Sequence, residues 1–124
     1  MRAILYISLG AVAGANARYF VGLWVAQWLG AAFPYGTLII NVTGSFLIGL
    51  ILAFLTDRLI AEPAWRLVLT TGFCGAYTTF STYAFEAVTL VRQESYGLAA
   101  LYVLGSAVLG LAAVVAGTFV ARLL

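Results

Sequence analysis

At 124 residues, 65% hydrophobic and 8% charged, with a mean hydropathy of +1.10, the chain carries more apolar surface than a soluble domain of this size can cover, and reads as an integral membrane protein. Its six cations are all arginine and, with four acids, give a net charge of +2 scattered near segment ends, which offers no nucleic-acid surface. No histidine, a single cysteine (Cys74) and no paired carboxylates exclude an intrachain disulfide, a Cys/His metal cluster and the usual acid-base or nucleophilic machinery, so the chain does not read as an enzyme.

Four apolar spans fit, at Ile4 to Leu29, Tyr35 to Thr56, Trp65 to Val91 and Tyr96 to Leu123, each able to cross a hydrocarbon core of about 30 Å. The small-residue triplets after the first apolar run also suit a signal peptide, but apolar sequence resumes at Tyr19 and a retained helix is the better reading. Gly30 to Pro34 reads as a short turn, Asp57 to Pro63 as a polar loop with Arg58 and Glu62, and Arg92, Gln93 and Glu94 as the third connection. The whole chain, 1–124, is then one four-helix transmembrane domain. An even number of spans puts both termini on one side, with Arg2, Arg58, Arg66 and Arg122 against Arg92 alone, a bias toward cytoplasmic termini.

In the first span Gly10, Gly14, Arg18 and Gly22 recur every four residues on one face. Gly10-x-x-x-Gly14 is a close-packing signature. Arg18 falls well inside the segment, where a guanidinium needs water, an anion or a carboxylate. It is either a fixed charge at the base of an aqueous vestibule or an arginine that snorkels or pairs with Glu86. The second span repeats the spacing with Thr37, Asn41, Ser45 and Gly49; the Asn41 amide offers two N–H donors, to an anion or to another helix.

The third span holds Gly72-Phe-Cys-Gly-Ala-Tyr-Thr-Thr-Phe-Ser-Thr-Tyr83, dense in glycine, hydroxyls and rings. Gly72 and Gly75 predict a bend or unwinding, with freed carbonyls facing protein, an ion or water, unless the run is a tight helix crossing. Beyond it, Thr79, Thr82, Tyr83 and Glu86 form a stripe, and the edges of Phe80 and Tyr83 carry partial positive charge suited to a small anion. Glu86 reads as a rim residue. In the fourth span Tyr102 and Ser106 add two hydroxyls, while Gly105, Gly110 and Gly117 keep the helix thin.

Gly14 with Asn16-Ala-Arg18-Tyr19, the motif Asn41-Val-Thr-Gly44-Ser-Phe-Leu-Ile-Gly49, and Gly72 to Thr82 together closely resemble the bacterial CrcB/Fluc fluoride channels across all four spans. The resemblance implies a passive channel of the cytoplasmic (inner) membrane that exports toxic fluoride. It further implies an antiparallel, dual-topology homodimer with two pores and a third helix broken near its middle. A structural sodium ion, Na+, would be held at the dimer centre by the backbone carbonyls of Gly75 and Thr78. The fluoride pathway would comprise Asn41, Phe80, Thr82, Tyr83, Tyr102 and Ser106, with Arg18 and Glu86 in the vestibule. Three departures stand out: Tyr83 replaces a second phenylalanine, Gly110 interrupts the hydroxyl track, and the arginine bias sits badly with insertion both ways. A small multidrug-type proton-coupled exporter shares the length and the four spans, but needs a membrane carboxylate where the first span has Arg18.

Overall fold

The computed structural model describes residues 1–57 and 63–124. Every element among them is helical: α1 (Arg2–Leu29), α2 (Tyr35–Asp57), α3 (Pro63–Arg66), a π-helical stretch (Leu67–Cys74), α4 (Gly75–Tyr77), α5 (Phe80–Arg92) and α6 (Tyr96–Leu123). Three of these, α1, α2 and α6, are long and apolar enough to cross a membrane. The third expected span is built from the short pieces α3 to α5. Arg58 and Glu62, read as the charges of a polar loop, lie outside the described residues.

Most large apolar side chains face outward. Along α6, Leu101, Leu104, Val108, Leu111, Val115 and Phe119 are all exposed, as suits a helix whose solvent is lipid. Close packing is therefore carried by glycine. A Cβ on Gly49 would strike the Val114 carbonyl, and one on Gly117 the Phe46 carbonyl, so α2 and α6 touch backbone to backbone. On the other side of the bundle Gly10 and Gly14 lie against Val68 and Phe73 of the π-helical stretch, and Gly72 answers against Ile7 and Gly10 of α1. The first connection begins at Gly30, whose φ of 74° ends α1 in the left-handed region that glycine alone adopts without strain.

The expected break is present, but not where the glycines suggested. Gly75 is helical, at φ −63° and ψ −35°, and Gly72 belongs to the π-helical stretch. The chain leaves the helix at Thr78 (φ −82°, ψ 160°) and Thr79 (φ −151°, ψ 120°). Two extended threonines are favoured because branching at Cβ suits extended backbone and because the Thr79 hydroxyl takes over a backbone N–H that loses its helical acceptor. Thr78 turns both its N–H (3.0 Å) and its Oγ1 (2.9 Å) back onto the Cys74 carbonyl. Thr79 caps α5 by accepting from Thr82 N. Upstream, the wide π turn is closed by Thr70 Oγ1, which donates to the Arg66 carbonyl at 2.6 Å.

Candidate functional site

Asn41 on α2 holds the break open. Its Oδ1 accepts from Thr79 N at 2.8 Å and its Nδ2 donates to the Thr79 carbonyl at 3.0 Å, a two-point clamp on one residue 38 positions away. Of the two roles left open for this amide, contact with another helix segment uses one N–H. The second has no partner among the described residues and borders a groove of about 720 Å³. That groove runs along Asn41, Gly44, Ser45, Ile48, Thr70, Cys74, Gly75, Thr78, Thr79 and Phe80.

The clamp determines what the break exposes. In a continuous helix Thr79 N would bond the Gly75 carbonyl and Thr82 N the Thr78 carbonyl. Here Thr79 N goes to Asn41 Oδ1 and Thr82 N to Thr79 Oγ1, so both carbonyls lose their helical donors at mid-span. Carbonyls freed at that depth need a partner, and a cation supplies one. Among the described residues no group of three His, Cys, Asp or Glu could hold a metal. Across the same break the N-terminus of α5 presents amides. One site therefore sets a carbonyl-bearing helix end beside an N–H-bearing one, the first suited to a cation and the second to an anion.

The rings form a ladder away from the break. Phe80, 79% exposed, lies 5.7 Å from Tyr83 between ring centroids; Tyr83 lies 5.2 Å from Tyr102, and Tyr102 meets Phe33 edge-on at 5.5 Å. The Tyr83 hydroxyl donates to the Val103 carbonyl on α6 at 3.3 Å. That contact gives the extra oxygen at this position a protein partner. Tyr102 is fully buried, and its O–H is donated to Glu86 Oε2 at 2.7 Å, while Thr37 Oγ1 donates to Glu86 Oε1 at 2.9 Å. Glu86 is thus half-buried between α2 and α6, with both oxygens engaged by hydroxyls rather than by Arg18.

Arg18 instead lines a separate groove of about 310 Å³ with Thr37, Thr79 and Thr82. Thr79 Oγ1 donates to Thr82 Oγ1 at 3.0 Å, so the Thr82 proton is left to point onward, a short chain of aligned hydroxyls beside a guanidinium. Ser106 Oγ is buried with no hydrogen-bond partner among the described residues. At Gly110, where the hydroxyl track of α6 lapses, the nearest side chain is Ser45, whose Oγ would stand 3.6 Å from an added Cβ.

The sequence reading missed Arg66, Thr70 and Thr71, which line the same groove as Asn41 and Gly75. The signal was available in the spacing: Arg66, Thr70 and Cys74 recur every four residues, as do Thr71 and Gly75. In the sequence Arg66 stands out only as a helix-end charge that counts toward topology.

Comparison with known proteins matches residues 5–118 to the family described as CrcB-like protein, Camphor Resistance (CrcB). A protein of Roseiflexus sp. (strain RS-1) named fluoride-specific ion channel FluC is 51% identical over 121 residues, spanning 98% of each chain. Proteins of the same name from Koribacter versatilis (strain Ellin345) and Acidobacterium capsulatum are each 50% identical, over 114 and 116 residues, and cover 92% and 94% of this chain and 90% and 93% of their own.

Proposed function

From the premise that the chain belongs to the CrcB family, we propose that it is a fluoride-selective passive channel through which cytoplasmic fluoride leaves the cell. The family is one of bacterial ion channels and not of enzymes, and the chain is a multi-pass protein of the cytoplasmic membrane. The observation that carries the reading is the clamped break, where an amide N–H of Asn41, a ring at Phe80 and the Thr82 hydroxyl all border grooves beside one helix interruption. Fluoride is small and strongly hydrated, so a pore must offer donors and positive ring edges in place of its water without holding it too tightly to leave. Chloride would be rejected by narrowness and by donors spaced for a smaller ion.

The working unit is an antiparallel homodimer with two pores. Support comes from the exposure of Phe80, which a lone subunit would leave at 79%, and from the buried Ser106 Oγ, which lacks a partner among the described residues. A structural Na+ held by the Gly75 and Thr78 carbonyls agrees with their loss of helical donors, and when bound it would neutralise those carbonyl dipoles. Proton-coupled export finds less support, because the Glu86 carboxylate is tied to two hydroxyls.

Fluoride efflux from liposomes containing the purified protein is the direct test. Fast fluoride efflux, no chloride efflux and dependence on sodium are expected; proton-driven exchange of a cationic drug without fluoride flux would overturn the reading. In the same assay Arg18→Gln is expected to slow fluoride efflux about tenfold at low ionic strength and much less in high salt, because its contribution is a long-range field that ions screen. Equal slowing at both ionic strengths would show instead that the guanidinium acts through a direct contact.

A further inference from the structure

The break is held from both sides, and only one of the two clasps is Asn41. On the upstream side Tyr77, the last helical residue, is 6% exposed and its hydroxyl lies 2.9 Å from Thr43 Oγ1 on α2. The direction of that bond follows from proton count. Thr43 has one hydroxyl proton, which it donates to the Ile39 carbonyl at 2.7 Å and shares with that of Ile40 at 3.2 Å. Tyr77 is therefore the donor and Thr43 the acceptor, in a relay from Tyr77 to Thr43 to the α2 backbone.

The Tyr77 ring is fixed as well. It stacks on Phe73 at 5.6 Å with 13° between planes, and its edge covers Gly44, where a Cβ would come within 3.1 Å of Tyr77 Cδ1. Gly44 also gives the Thr78 methyl its place, since a Cβ there would strike Thr78 Cγ2. Thr78 thus sits between a residue pinned to Thr43 and a residue pinned to Asn41, both of them on α2.

We propose that Tyr77 and Thr43 are positioning residues that fix the spacing of the Gly75 and Thr78 carbonyls and so tune which alkali cation the break accepts. The inference rests on the reading of those carbonyls as cation ligands. A carbonyl pair held rigidly by its flanking residues discriminates between ions of different radius, whereas a loosened pair relaxes around each. Losing the Tyr77 hydroxyl leaves the ring stacked on Phe73 and the Thr43 proton still satisfied by Ile39, so Tyr77→Phe removes the clasp with little other disturbance.

The test is thermal melting of the purified full-length protein in a background of a large organic cation, titrated with sodium and separately with potassium. Tyr77→Phe is expected to raise the half-saturating sodium concentration about fivefold, the fold-change of one ordinary hydrogen bond, and to narrow the preference for sodium over potassium. Thr43→Val should do the same from the other end of the bond, and Thr43→Ser should behave as wild type. If Tyr77→Phe and Thr43→Val melt lower but keep the wild-type half-saturation and ion preference, the pair is plain packing and the inference fails alone. If the wild-type protein does not respond to sodium at all, the cation reading of Gly75 and Thr78 fails and takes the inference with it.

Discussion

Replacing Asn41 by leucine is expected to reduce fluoride efflux by about a hundredfold or more, the largest effect of any single polar substitution in this chain. The side chain is of similar size and apolar, so what is lost is the clamp: Thr79 N–H and the Thr79 carbonyl each lose their partner in a site where Thr79 itself is only 9% exposed. Each backbone group left unpaired costs about 1–3 kcal/mol, and both losses fall on one residue. The backbone has one local remedy, to let Thr78 and Thr79 close toward a continuous helix, which would return donors to Gly75 and Thr78 and erase the break. Asn41→Asp provides the contrast. It can still accept from Thr79 N, but faces the Thr79 carbonyl with oxygen instead of N–H and adds negative charge beside an anion path, so it too should conduct poorly. Efflux measured beside the size-exclusion profile of the same sample checks both. Fluoride flux within about twofold of wild type in Asn41→Leu would remove Asn41 from the pathway and from the break.

Gly14→Val is expected to prevent folding outright. A Cβ on Gly14 would strike the Phe73 carbonyl oxygen and lie 3.0 Å from its carbon and 3.1 Å from the Phe73 Cα, all backbone atoms that cannot swing aside as a side chain tip can. Relief requires α1 to move off the π-helical stretch, and that contact also includes Gly10 and Gly72, whose own added carbons would meet the backbone of Val68, Phe73 and Ile7. Overpacking by one or two carbons typically costs about 1–3 kcal/mol where neighbours adjust, so more than about 3 kcal/mol is expected here. The observable is loss of the monodisperse peak on extraction into detergent. Gly22→Ala, on the same stripe of α1, is the control: its added carbon would find only Ile40 Cδ1, at 3.8 Å, and the protein should remain intact. Tolerance of Gly14→Val would mean that α1 packs elsewhere.

That contrast shows where periodicity stops being informative. Gly10, Gly14 and Gly22 share one spacing and look equivalent in the sequence, yet the first two are pressed against backbone and the third is not. Gly105 has nothing within 4 Å of an added carbon, although it was read with Gly117, which lies on the Phe46 carbonyl. Similarly, the run from Gly72 to Tyr83 is legible as an interruption from its composition, but its glycines lie three to seven residues upstream of the residues that leave the helix.

The membrane class and the spans of α1, α2 and α6, to within two residues, are legible in the chain because lipid responds to local hydropathy and length, and the family is legible in the spacing of its motifs. Where the third span breaks, and what each polar residue does there, depends on contacts between distant segments. Thr79 is extended where Asn41, 38 residues earlier, supplies the partners that a helix would have supplied, and Tyr77 just before the break is tied to Thr43 on the same distant helix. Glu86 is held by hydroxyls from α2 and α6 and not by the arginine that spacing alone permitted. In a bilayer a backbone or carboxylate group has no water to fall back on, so its conformation is set by whichever distant side chain reaches it, and that choice is not written in any local stretch.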